Sequence, residues 1–119
     1  MATWDDVRRI ATSMPGVTER VREGVVDWRV EERLFVWERP LRGTDLAALG
    51  AAAPTGPILA ARVPDLGAKE ALLASDGSVY FTTPHFQGYP AVLVQLECIE
   101  VGELEELIVE AWHARARRR

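Results

Sequence analysis

Apolar positions along this chain change their spacing several times, and each change predicts a new element. From residue 3 to residue 14, Trp4, Val7, Ile10, Ala11 and Met14 recur three and four positions apart. That spacing gathers them on one face of an α-helix. Thr3 suits its N-cap, and Asp5 and Asp6 fall in the first turn, where the helix dipole favours negative charge. Pro15-Gly16 ends it. The period then shortens to two. Val26, Trp28 and Val30 alternate with Asp27, Arg29 and Glu31, the pattern of a half-buried strand. Leu34 to Arg39 makes another, with Phe35 and Trp37 expected on one face and Leu34 and Val36 on the other. A fainter strand signal, Val17 to Arg22, precedes them. The two clear strands predict a hairpin. Its connection, Glu31-Glu32-Arg33, lacks the Asn or Gly of a two-residue primed turn, so a longer or bulged link is expected.

Beyond an irregular stretch, Thr44 caps a short helix through Leu46 and Leu49, and Pro54-Thr55-Gly56-Pro57 breaks it. Ile58 to Val63 reads as a strand, and Asp65 caps a helix carrying Leu66, Ala68, Leu72 and Leu73. Two more strands, Val79 to Thr82 and Ala91 to Leu96, are joined by the loop from Thr83 to Pro90. The last helix has the strongest stripe: Leu104, Leu107, Ile108, Ala111 and Trp112. Strands joined by short links favour an antiparallel sheet, and amphipathic helices need a sheet face to cover. The expected fold class is therefore α+β, a two-layer sandwich with helices packed on one face of an antiparallel sheet. The first and last helices should meet through Trp4, Ile10, Leu104, Leu107 and Ile108. One domain over residues 1–114, followed by a basic tail at 115–119, fits a chain of 119 residues.

Charge narrows the partners. The net charge is −4, and setting aside Arg115, Arg117, Arg118 and Arg119 leaves −8 on the rest. An acidic body repels polyphosphate, so any contact with DNA is expected to be weak and non-specific. Its candidates are Arg29, Arg33 and Arg39 on the hairpin and the four terminal arginines. No apolar run approaches the roughly 18 residues of a membrane span, and no signal-peptide pattern opens the chain, so a cytoplasmic location is expected. Catalytic chemistry finds no purchase. Ser13 and Ser78 lack a nucleophile-elbow context, and Cys98, expected half-buried, has no histidine at a fixed spacing. Two histidines and one cysteine far apart give no metal signature, and no glycine-rich phosphate motif is present, so no cofactor is expected. The suggestive segment is the Pro-bounded loop. His85, Phe86 and Tyr89 are its ligand-binding candidates, for a small molecule or a protein, with Phe86 or Tyr89 buried and His85 left reachable.

Several patterns then fall together in order and spacing. They are Met14-Pro15-Gly16-Val17, the hairpin with Trp28 and Phe35-Val36-Trp37-Glu38-Arg39-Pro40, Asp45-Leu46, and Val63-Pro64-Asp65-Leu66 with Lys69-Glu70-Ala71-Leu72-Leu73. Thr83-Pro84-His85-Phe86, Gly88-Tyr89-Pro90-Ala91-Val92-Leu93, and Glu103-Leu104 leading to Ala111-Trp112 complete the set. Over residues 3–116 the chain resembles the MmcQ/YjbR family of small bacterial proteins, the segment from Pro84 to Leu93 being the most specific. The resemblance implies a compact sheet with helices against it, similar to the frataxin and secretion-chaperone arrangements. It also implies a DNA-binding or regulatory role that rests on fold analogy alone, while the residues themselves, with no catalytic constellation, lead to the expectation of a non-enzymatic domain.

Overall fold

A computed structural model of the chain describes residues 1–116. Its first half is built by two successive tight reversals. β1 (Val17–Arg22), β2 (Val25–Val30) and β3 (Arg33–Glu38) are linked by Glu23-Gly24 and Glu31-Glu32. Both residues of each link have positive φ: 51° and 80° in the first, 51° and 70° in the second. This is the primed geometry whose twist matches the flanking strands. The longer or bulged connection expected at Glu31 is thus corrected to a two-residue turn closed by the Val30↔Arg33 pair. Left-handed backbone costs a residue with a Cβ on the order of 1 kcal/mol. Pairing on both sides of the turn over-determines it and outweighs that cost.

The irregularity lies inside the hairpin instead. The register shifts between Trp28, which faces Val36, and Arg29, which faces Leu34, so Phe35 is the extra residue of a β-bulge. Phe35 therefore joins Val36 on the helix-covered side, both with no exposed surface, and Trp37 passes to the opposite face. The expected pairing of Phe35 with Trp37 is corrected accordingly.

β4 (Ile58–Arg62), β5 (Tyr80–Phe81) and β6 (Ala91–Gln95) complete a sheet in the order β1-β2-β3-β4-β6-β5, with every neighbouring pair antiparallel. The faint β1 is a full edge strand paired from Val17↔Val30 to Arg22↔Val25; its polar sequence is what a solvated edge tolerates. β4 and β6 lie centrally, and their unbroken apolar runs are buried on both sides.

One face carries α1 (Trp4–Ser13) and α4 (Val101–Arg115), which pack on each other and on the sheet. A capping box starts α1: Asp6 N donates to Thr3 Oγ1 at 3.3 Å, and Thr3 N donates to Asp6 Oδ2 at 2.9 Å. Ile10, Leu104, Leu107 and Ile108 are buried in this main core, as the stripes predict, while Trp4 is half-buried at its margin. The Trp112 indole N–H donates to Pro15 O at 2.9 Å, closing the end of α4 over that of α1. α3 (Leu66–Ser75), capped by Asp65, adds Leu72 and Leu73. The opposite face is not bare. Ile58, Ala60, Phe86, Ala91 and Leu93 form a second, smaller cluster, with Trp37, Leu41 and Phe81 against it. α2 (Gly43–Leu49) reaches this side through Asp45. Among the described residues, no helix is long and apolar enough to cross a membrane.

Candidate functional site

The second face becomes a site because the chain between Thr83 and Ala91 folds down onto it. Pro84–Phe86 makes one 3₁₀ turn, and the amide of Phe86 donates to Thr83 O at 2.9 Å. Gly88, at φ 76°, reverses the backbone, and the Tyr89 amide donates back to Phe86 O at 3.0 Å. A side chain from outside the loop fixes this shape. Lys69 of α3 is buried, and its Nζ donates to Phe86 O at 2.6 Å and Tyr89 O at 2.9 Å. Burial alone pushes its ammonium below the usual lysine range.

Phe86 is the anchor, 4 % exposed and inserted into the second cluster. The Trp37 ring lies 6.4 Å from it, and the Tyr89 ring 6.1 Å. His85 meets it edge-on at 5.2 Å and 80°, and remains exposed. The Arg39 guanidinium sits 5.2 Å over the same ring, a cation–π contact. Arg39 is also paired with Asp45, Nη2 to Oδ2 at 3.1 Å, and donates to Pro40 O; both side chains are almost wholly covered. Burial pushes the Asp45 carboxyl upward, but the Arg42 N–H at 2.9 Å and the Arg39 charge outweigh it and hold it below 3.8. The Thr83 hydroxyl adds to that lowering although it closes no hydrogen bond of ordinary geometry.

Between this loop and the β1–β2 reversal runs a groove of about 570 Å³. Trp37, Leu41 and Phe86 supply its apolar wall, and His85 and Tyr89 form one rim. Arg22 and Arg42 line it together with Glu23 and Glu38, and the formal charges of these four cancel. Glu38 Oε1 accepts from the Val26 amide at 3.3 Å.

The three loop candidates, His85, Phe86 and Tyr89, thus converge on one cavity. Phe86 is the buried one and Tyr89 is 40 % exposed. The hairpin arginines disperse. Arg39 is buried beneath the groove and offers nothing to a phosphate, which corrects its reading as a DNA contact. Arg29 pairs with Asp27 at 3.1 Å. Arg33 Nη1 donates to Arg115 O at 3.3 Å, at the far end of the sheet. Arg115, expected to open a tail, is the last residue of α4. Arg117, Arg118 and Arg119 lie outside the described residues. Cys98, expected half-buried, is exposed. No metal-holding group of three His, Cys, Asp or Glu occurs among the described residues. The acids of α4 instead line an open groove against α3, where Glu103 accepts from the buried Tyr80 hydroxyl. Sequence reasoning did not assign Leu41 to the site, and it met Lys69 and Asp45 only as parts of the resemblance. Lys69 had a signal: it is the single lysine among fourteen basic residues, placed where three donors on a slender stem are needed.

Comparison with known proteins agrees with this architecture. A crystal structure of Deinococcus radiodurans protein DR2400, carrying the family domain DUF419, superposes with a TM-score of 0.68 over 94 % of this chain and 77 % of that one. The two are 18 % identical, so the likeness is one of fold. Uncharacterized protein Rv2570 of Mycobacterium tuberculosis and uncharacterized protein Mb2600 of Mycobacterium bovis are each 56 % identical over 115 residues, spanning 94 % of this chain and 87 % of theirs. The YjbR family model matches residues 12–114, taking in the hairpin, the anchored loop and α4, and the chain belongs to the YjbR family.

Proposed function

We propose that the protein is a non-enzymatic binding module whose groove beside His85 takes a small, largely apolar ligand with an aromatic ring. One observation carries this reading: a preformed cavity of about 570 Å³ in which Trp37, Phe86 and Tyr89 line one side and His85 stands free at the rim. That size is usual for small-molecule sites, and Trp37, Phe86 and Tyr89 supply the aromatic wall such sites use, flanked here by Arg22, Glu23, Glu38 and Arg42. The balanced charges of Arg22, Arg42, Glu23 and Glu38 argue for recognition by shape and stacking rather than by net charge. No serine, threonine or cysteine lines the groove among the described residues, which supports binding without covalent chemistry. A fragment screen by protein-observed NMR tests this. Aromatic fragments should shift His85, Tyr89 and the Trp37 indole together, and His85→Ala should weaken them several-fold while leaving the fold intact. Shifts scattered over the surface, or unchanged affinity in His85→Ala, would remove the reading.

A second reading, weak and sequence-independent contact with DNA, is favoured by Arg33 and Arg115 standing clear of any carboxylate partner among the described residues. The −8 on the remainder of the chain opposes it. Four phosphate contacts, from Arg115, Arg117, Arg118 and Arg119, give a log–log salt slope of about −3.6. A flat salt titration with duplex DNA would exclude it.

A further inference from the structure

At the end of the sheet where β3 begins and β4 ends, three arginines come together. Arg33 Nη1 holds Arg115 O, the last carbonyl of α4, at 3.3 Å. Arg62 Nε donates to Pro90 O at 3.1 Å and its Nη1 to the Tyr89 hydroxyl oxygen at 3.1 Å, with its guanidinium 4.9 Å over the Tyr89 ring. Arg115 is tied to Arg33 through that carbonyl, and burial first, then the charges of Arg62 and Arg33, depresses its proton affinity. All three side chains are half-buried, and none is ion-paired among the described residues.

Their hydrogen bonds orient these groups without neutralising them. Each guanidinium carries five N–H donors in a planar fork. Arg33 spends one and Arg62 two, all on neutral oxygens. Among the described residues, Arg115 Nε is buried with no hydrogen-bond partner. Three like charges and an orphaned donor are costly to hold together, and nothing within the described residues repays that cost. An oxyanion with several acceptor oxygens would. A monocarboxylate leaves most of the charge unmatched, whereas a dianion with three accessible oxygens suits converging forks. The Tyr89 oxygen already accepts from Arg62, which leaves its O–H to donate outward.

We propose that Arg33, Arg62 and Arg115, with the Tyr89 hydroxyl, form a binding site for a phosphate-class dianion. A free or esterified phosphate and a nucleic-acid backbone phosphate share this chemistry. The site shares Tyr89 with the rim of the groove but needs neither Trp37 nor His85, so its test is separate from that of the groove.

The test is a titration of the full chain with inorganic phosphate and pyrophosphate, against sodium chloride at matched ionic strength, by NMR and thermal denaturation. Saturable one-to-one binding is expected, with a rise in Tm that chloride does not reproduce. Arg62→Gln and Arg115→Gln should each weaken binding tenfold or more, and Arg62→Lys, which keeps charge but loses the fork, by an intermediate factor. Arg29→Gln and the triple change of Arg117, Arg118 and Arg119 to Gln should leave it intact. Without anion, Arg115→Gln should be at least as stable as the parent chain, the opposite of what a structural arginine gives. A short DNA duplex that binds through the same residues identifies backbone phosphate as the source; phosphate binding without duplex binding identifies a soluble one. Equal, non-saturating responses to phosphate and chloride would overturn the site. So would unaltered binding in Arg62→Gln and Arg115→Gln, or loss of binding in the terminal triple variant.

Discussion

Trp28 and Trp37 lie on opposite faces of the same hairpin, and their surroundings differ as the faces do. Trp28 is 1 % exposed, and its indole N–H donates to Glu19 Oε1 at 2.8 Å under two packed helices. Trp37 is half-buried beside Phe86 at the mouth of a groove. The helix-covered face is closed mainly by long apolar stripes, with the Trp28 and Trp112 indole N–H groups each satisfied by one acceptor. The other is closed by a short irregular loop, which cannot bury enough apolar surface to hold itself. Polar clamps do that work: Lys69 on two loop carbonyls, and Arg39 with Asp45 beneath Phe86. Packing that is incomplete but rigidly anchored leaves the groove beside Phe86.

The largest expected effects come from truncating one aromatic on each face. Phe35→Ala and Phe86→Ala should each lose about 3–5 kcal/mol in urea denaturation, with Phe86, on the smaller cluster, at the lower end. A larger loss at Phe86 than at Phe35 would reverse the ranking of the two faces.

Next comes the clamp beneath Phe86. Asp45→Asn leaves the Arg39 charge covered and unpaired. Removing one partner of a deep pair costs about 3–5 kcal/mol, but this pair lies near the edge of the molecule, so about 2 kcal/mol is expected. The Asp45 carboxyl lies below 3.8 in the fold, so its contribution is present above that pH and lost as pH falls through the folded value. The acid limb of the stability curve should therefore be flatter in Asp45→Asn. Identical limbs would mean that the pair does not hold this face.

Lys69→Met should cost about 1–2 kcal/mol, because two loop carbonyls lose their donor. The amides of Gln87 to Tyr89 should exchange faster, while those of α1 and α4 should not. Burial places the folded lysine below 10.5, so the unfolded chain binds the extra proton in that window. Stability from this group is therefore lowest below the folded value and rises with pH toward 10.5. That rise should be missing in Lys69→Met; its persistence would assign the loop's support elsewhere. The smallest effect is at the rim. His85→Ala should change stability by no more than about 0.5 kcal/mol, as an exposed side chain does. A loss as large as that of Phe86→Ala would make the histidine a packing residue and end its role as a rim group.

The helix-covered face was readable in advance because its logic is periodic. The stripes of α1 and α4 repeat at helical spacing, and most of the residues they nominate are buried, with Trp4, Met14 and Trp112 half-buried at the ends. The hairpin was half readable. Alternation located both strands, yet one extra residue at Phe35 inverted which neighbours share a face, and a single bulge leaves no mark in a six-residue pattern. The candidate site was readable only as a restrained loop. His85, Phe86 and Tyr89 stood out for their prolines and glycine, but Lys69 is 17 positions from Phe86 and Asp45 is 38 from Thr83, so no local spacing connects them.

By itself the sequence determined where helices and strands form, because those depend on neighbours within a turn or a pleat. It determined the class of fold as well, since the stripes had to be buried against one another. Which arginines face solvent, which one is sealed under a phenylalanine, and which three meet at the end of the sheet were decided only by the tertiary structure. Charge carries no periodicity, and its partners are chosen by contacts across the sheet that burial and register impose.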